Sequence, residues 1–313
     1  MTHLVRSEAL LWRGDYAAGW AEFAWRWKTR FRNHKPDQPY ALWTGAQPLA
    51  GKRLMLVGEV GLGDFIMFAR YVKPLQLRGA TLVLHAPAAL VRLFGAMNPD
   101  IQVVDAALPP PPADYQCPIM DLPRAFDTRV DTVPSEFPYL TAPSAAREEW
   151  ARRLGPKVRR RVGLVWSSKA NRNIDMNPVR QRSVPLSLLQ PLFDEDFEFH
   201  ALQREIEDAD RRSLPEGRMR VHDAALFDFA ETAALASQMD VVISIDTSVA
   251  HVAGGLGKPL WMMLPYWSDY RWGGALPQSP WYPDARLFRQ QSPGDWAGVV
   301  TKLVEALKGF APN

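Results

Sequence analysis

The chain has 313 residues, 47% hydrophobic and 23% charged, with a formal net charge of +3. That is a globular composition, long enough for two domains with a core each, and the small positive excess gives no reason to expect a nucleic-acid partner. A lone cysteine, Cys117, rules out an internal disulfide; with no signal-like start and no apolar run long enough to span a bilayer, the expectation is a soluble, cytoplasmic protein without a transmembrane segment.

Residues 1–32 read as two antiparallel helices. Leu4, Leu10 and Leu11 precede a turn at Gly14-Asp15, and Ala17, Trp20, Phe23, Ala24 and Trp27 follow at three- and four-residue spacing. The placing of Leu11, Gly14, Tyr16 and Ala21 resembles one tetratricopeptide repeat. A single repeat cannot bury its own face, so the hairpin is expected to dock on the domain that follows. Residues 33–50 read as a polar, proline-bearing linker. A first α/β run then alternates a strand at 52–57, a glycine-rich turn at 58–64, a helix at 65–78, a strand at 81–85, a helix at 87–97 and strands at 101–104 and 115–120. Prolines 134, 138 and 143 lead out of it to a helix at 145–154. The basic run 157–161 reads as a solvated linker before the second α/β run.

That second run places strands at 161–166, 197–203, 219–222, 241–246, 260–264 and 286–288. Helices fall at 184–192, 205–214, 228–238, 248–256 and 295–307. Two serial βαβ runs argue for an α/β fold of two facing Rossmann-like domains with a cleft between them and a short helical hairpin in front. The expected boundaries are 1–32 for the hairpin, 33–155 for the first domain and 156–293 for the second. Residues 294–313 are expected to form a closing helix that packs back toward the first domain.

The chemistry concentrates at strand ends, where open α/β sheets bind ligands. The apolar run Val241-Val242-Ile243 leads through Asp246 into a helix opened by Thr247 and Ser248, with His251 one turn in. A helix N-terminus offers free amides and a positive dipole end to an anion, so the stretch reads as a diphosphate site. The alternative is a plain capped helix with a packed histidine. In the first domain, Gly61 and Gly63 permit close backbone approach, and Asp64 stands at the loop-to-helix junction, as a base or as a first-turn acid. Residues 167–183 form a long polar loop carrying Lys169, Arg172, Arg180 and Arg182, which either neutralises a diphosphate or is simply solvated. Asp208-Ala209-Asp210 falls inside a helix and is discounted as a metal site. Trp267, Tyr270, Arg271 and Trp272 either line a sugar pocket or cover a core edge.

Several of these stretches together resemble the heptosyltransferase-like glycosyltransferases of family 9, which have the GT-B fold. They are Glu59-x-Gly61-Leu62-Gly63-Asp64, Val162-Gly163-Leu164-Val165-Trp166 and Asp246-Thr247-Ser248-Val249-Ala250-His251. Gly14-Asp15-Tyr16-Ala17-Ala18-Gly19-Trp20 and Ser279-Pro280-Trp281-Tyr282-Pro283 resemble the branch associated with tetratricopeptide repeats. That branch more usually has Ala-Gly after the strand tryptophan, and Ser167-Ser168 departs from it toward the heptosyltransferase pattern.

The resemblance implies an inverting, metal-independent glycosyltransferase that moves a sugar from a nucleotide-diphosphate sugar to a protein or glycan hydroxyl. It implies Asp64 as the base. It implies donor contacts at Ser167, Ser168, Lys169, Arg172, Gln203, Thr232, Asp246, Thr247, Ser248 and His251, and no cofactor. A sugar-nucleotide-binding scaffold module without catalysis, or a nucleotide-sugar epimerase of similar architecture, are the competing readings.

Overall fold

Leucine-, valine- and methionine-rich strands recur through the chain, most of them followed by a helix or a 3-10 turn, and in a computed structural model they build two parallel sheets. The structure describes residues 2–29, 39–59, 61–168 and 179–310. The chain divides into two compact units. The first comprises Met1–Thr141 and Asp269–Pro283, the second Ala142–Ser268 and Asp284–Asn313.

The first unit holds a five-stranded sheet in the order β1-β5-β2-β3-β4. Its strands are β1 (Ala41–Leu42), β2 (Arg53–Val57), β3 (Thr81–Ala86), β4 (Gln102–Asp105) and β5 (Tyr115–Pro118). Leu54, Met55 and Leu56 of β2 are completely buried, as expected of a central parallel strand covered on both faces. The presumed linker contributes β1, which pairs with β5, and Trp43 behind it is 2% exposed. The helix expected over 65–78 is interrupted. Helix α3 (Leu62–Phe68) gives way to a short 3-10 turn at Ala69–Tyr71 before α4 (Val72–Leu77). Pro74 has no amide hydrogen to bond back to residue 70, so it is accommodated in the first turn of a new helix.

The N-terminal hairpin, α1 (His3–Trp12) and α2 (Tyr16–Phe23), belongs to this unit. Asp15 caps α2 by accepting the Ala18 amide at 3.2 Å. Gly19 lets the helices close up, because a Cβ there would lie 2.6 Å from Leu11. Tyr16 and Trp20, both 2% exposed, insert among Phe68, Tyr270 and Trp281. The hairpin thus buries its apolar face in the unit that follows it. Further helices here are α5 (Ala88–Gly95) and α6 (Leu122–Ala125).

The second unit holds a six-stranded sheet in the order β11-β10-β9-β6-β7-β8. Its strands are β6 (Arg161–Val165), β7 (Glu198–Ala201), β8 (Met219–Val221), β9 (Val241–Ser244), β10 (Leu260–Leu264) and β11 (Arg286–Arg289). Its helices are α7 (Ser144–Leu154), α8 (Asp208–Arg212), α9 (Phe229–Ser237), α10 (Ser248–Gly255) and α11 (Trp296–Lys308). The helix expected at 184–192 is a run of 3-10 turns, Leu186–Asp194, preceded by Pro185 and with Pro191 inside it.

The two units group three stretches of the chain as follows. Helix α7 belongs to the second unit, packed on α9 with Trp150 Nε1 donating to Glu231 Oε2 at 2.9 Å. The closing helix α11 is grouped with the second unit, where its apolar face, with Val299, Val300 and Leu303 buried, packs against Leu186–Asp194. Residues 269–283, expected in the second domain, belong to the first unit, where Trp272 and Trp281 are fully buried. Among the described residues no helix is long and apolar enough to cross a membrane.

Candidate functional site

Ligands of open parallel sheets bind beyond the C-terminal strand ends, at the place where successive crossovers change direction. In the first sheet that place is between β2 and β5, and in the second between β6 and β9. Each sheet presents one of the stretches singled out in the sequence at its own switch point: the Gly61–Asp64 turn after β2, and Asp246–Ser248 after β9.

In the second unit, β9 ends at a buried Ser244 whose hydroxyl donates to Ile245 O at 2.7 Å and lies 3.4 Å from Thr247 Oγ1. Thr247 is the residue before α10, in an extended conformation, and its side chain does not close onto the helix amides. Among the described contacts Thr247 therefore does not cap the helix with its side chain. Half-buried Thr247 and Ser248 add hydroxyls there, and His251, 3% exposed, follows one turn on. Arg182 brings a guanidinium to the same edge: Nη1 donates to Asp246 O at 3.0 Å and stands 3.9 Å from Asp246 Oδ2.

The loop after β6 is held by Gln203. Its Oε1 accepts the Trp166 and Ser167 amides at 3.2 and 3.0 Å, and its Nε2 donates to Ser167 Oγ at 2.6 Å and to Glu205 O at 2.8 Å. All four hydrogen-bonding positions of the amide are engaged, so Gln203 acts as a brace for Ser167. The Ser168 amide donates to Ser183 Oγ at 3.3 Å. Thr232, 6% exposed, lies in the first turn of α9 and its hydroxyl donates to Asp228 O at 3.2 Å. Lys169 and Arg172 lie outside the described residues. Asp210 of the Asp-x-Asp run accepts Trp166 Nε1 at 2.8 Å and the Leu186 amide at 3.3 Å, which makes it a strut. Among the described residues no group of three or more His, Cys, Asp or Glu side chains is placed to hold a metal ion.

In the first unit, Asp64 occupies the first turn of α3, its side chain 21% exposed. Gly61 precedes the helix, and a Cβ there would stand 2.5 Å from Asp64 Oδ2, so any other residue would displace the carboxylate. Gly63 is the second residue of α3. Asp64 Oδ1 is paired with Arg271 Nη2.

Glu59, at the start of the same turn, is 2% exposed and receives a forked pair of hydrogen bonds from Arg26, both at 2.9 Å, as well as the Met120 amide at 3.2 Å. Arg26 also donates to Asp121 at 2.9 Å. Burial pushes the Glu59 carboxyl up to about 7, against the opposing pull of the Arg26 guanidinium. These bonds join the loops that follow β2 and β5 to the hairpin. In the sequence Arg182 sits in a polar stretch and Arg271 in an aromatic one, and neither stretch points to its partner. Arg271 lies 207 residues from Asp64, a separation that no local spacing reveals.

No protein-family model matches the chain. Protein FlbA of Caulobacter vibrioides is 27% identical over 344 aligned positions, which take in the whole of this chain and 56% of the relative. The chain thus spans a little over half the length of the curated relative it matches. Among solved structures, the family 9 glycosyltransferase of Veillonella parvula superposes with a TM-score of 0.59 at 13% identity, covering 84% of this chain and 98% of its own. E. coli ADP-heptose heptosyltransferase II gives 0.52 at 14%, covering 82% and 99%. The dodecameric, iron-containing heptosyltransferase TibC, in complex with ADP-D-β-D-heptose, gives 0.53 at 12%, covering 80% and 66%. The fold is that of the GT-B glycosyltransferases.

Proposed function

We propose that the chain is an inverting glycosyltransferase that uses a nucleotide-diphosphate sugar and needs no metal. The observation that carries this reading is the placement of Asp64 and of Asp246–Ser248 at the switch points of two separate parallel sheets. The heptosyltransferase neighbours have the same fold, and one of them holds ADP-heptose.

In this reading an acceptor hydroxyl attacks the anomeric carbon while the bond from that carbon to the diphosphate oxygen breaks, inverting the centre in one displacement. Asp64 takes the hydroxyl proton. The departing diphosphate gathers negative charge, which the open start of α10, the Thr247 and Ser248 hydroxyls and the Arg182 guanidinium neutralise. Those groups supply positive charge without a divalent cation. Ser167 is presented by Gln203 at the adjoining strand end, and Thr232 and His251 complete the donor side. The acceptor is a protein or glycan hydroxyl; the hairpin's likeness to a helical repeat favours a protein.

The test is a thermal-shift panel of ADP-, GDP- and UDP-linked sugars with and without EDTA, followed by an assay of nucleoside diphosphate release. At least one donor is expected to raise the melting temperature, and EDTA to leave both binding and release unchanged. Loss of both on EDTA treatment sinks the metal-independent reading. Asp64→Asn is expected to lower kcat by roughly 10²–10⁴ with donor affinity retained; near-normal turnover removes Asp64 as the base.

A further inference from the structure

Arg271 reaches Asp64 on the stretch 269–283, which the chain returns to the first unit after forming most of the second. The guanidinium is fixed from several directions. Its Nη1 donates to Asp269 Oδ1 at 2.8 Å, the oxygen that also accepts the Arg271 amide at 3.0 Å. The Tyr270 ring lies 4.7 Å from the guanidinium carbon. Ser279 Oγ donates to the Arg271 carbonyl at 2.5 Å. The Arg271 and Asp64 side chains are 14% and 21% exposed, so the pair is largely shielded from water.

The stretch is itself anchored to the helix that carries Asp64. Arg70, 3% exposed, donates to Met67 O of α3 at 2.9 Å and to Trp281 O at 2.6 Å. The hairpin holds it from the other side: Trp281 Nε1 donates to Tyr16 OH at 2.9 Å, and the Ala275 amide donates to Trp12 O at 3.0 Å. Through Arg26 and Glu59 the same hairpin also holds the turn that leads into Asp64.

We propose that Arg271 is a positioning residue for the Asp64 carboxylate, and that the N-terminal hairpin sets the geometry of this pair from both sides. The inference rests on the reading of Asp64 as the base. A carboxylate that must receive a proton along one direction has to be held in one orientation, and a fixed guanidinium on Oδ1 does that. Gly61 contributes by leaving room for Oδ2.

The test uses the full chain and crystal structures of Arg271→Met and Arg271→Lys beside the wild type. Arg271→Met is expected to leave the fold intact and to move the Asp64 carboxylate from its place over Gly61, while Arg271→Lys keeps it there. An unmoved Asp64 in Arg271→Met overturns the proposal. Kinetics with a donor from the ADP-, GDP- and UDP-sugar panel give the second readout. Arg271→Met should lower kcat about 10–100-fold with KM unchanged, and Arg271→Lys should restore most of it; a change in KM alone, or no rescue by lysine, argues against positioning. Tyr16→Phe, which removes only the oxygen that Trp281 contacts, should lower kcat severalfold, and wild-type kcat there overturns the part given to the hairpin. Asp64→Asn separates the two ideas: if it turns over normally while Arg271→Met still displaces Asp64, the base assignment fails and the positioning stands.

Discussion

Thr247 begins a helix without capping it, and that sets apart two accounts of the same residue. A threonine that caps through its hydroxyl stabilises the fold by about 1 kcal/mol, and alanine removes that. Here the hydroxyl makes no bond to the helix amides. Thr247→Ala should therefore leave the melting temperature of the free protein nearly unchanged. If the hydroxyl binds a diphosphate, the loss of one charge-assisted hydrogen bond should weaken donor binding by roughly 1.5–3 kcal/mol. Calorimetry against the nucleoside diphosphate checks this, and an unchanged affinity returns the stretch to plain structure. His251 needs a gentler change. At 3% exposure its removal opens a cavity, so His251→Gln tests binding where His251→Ala would mix binding with stability.

Strands β7 and β8 bring His200 and His222 together, Nδ1 to Nε2 at 3.1 Å, with the rings stacked 5.4 Å apart. Burial first, then for His200 the neighbouring imidazole and for His222 Arg220, push both down from the ordinary 6.5 to about 4. In the unfolded chain both protonate near 6.5. Between that value and about 4 the unfolded state binds more protons, so stability is complete above 6.5 and declines as the pH falls through this window. The slope should reflect about two protons taken up on unfolding. His222→Gln should flatten it, as measured by urea unfolding at stepped pH; identical slopes in the two proteins count against the pair. This contact also marks a limit of sequence reading. The strands other than β1 were legible, because runs such as Val241-Val242-Ile243 are apolar and bounded by turns. Across-sheet partners were not, since His200 and His222 meet only through strand pairing. Helix continuity failed where proline intervened, at Pro74 and Pro191, although the apolar spacing on either side was read correctly.

At the scale of the molecule, the first unit is discontinuous, which the serial order of βαβ elements did not reveal. The motif Ser279-Pro280-Trp281-Tyr282-Pro283 was visible as a motif, but its partners lie more than two hundred residues earlier, at Arg70 and Tyr16. Trp272 and Trp281 are fully buried in that unit, and Tyr270 and Tyr282 are 7% and 3% exposed. Removing one large buried aromatic commonly costs about 3–5 kcal/mol, and a whole domain is stable by only about 5–15 kcal/mol. A chain of residues 1–141 alone lacks all four rings and leaves Tyr16, Trp20, Phe68 and Arg70 facing water. It should show helical far-UV circular dichroism, little near-UV signal and no cooperative thermal transition. Joining residues 269–283 to it through a flexible Gly/Ser linker should restore both the near-UV signal and the transition, because that segment supplies the missing core. A sharp transition in residues 1–141 by themselves would mean that the aromatic cluster decorates the unit without completing it. Failure of the joined chain to fold would mean that the anchoring contacts at Trp281 and Ala275 are too weak to recruit the segment. Either result would also undercut Arg271 as a fixed partner for Asp64, since its fixity depends on the same anchors.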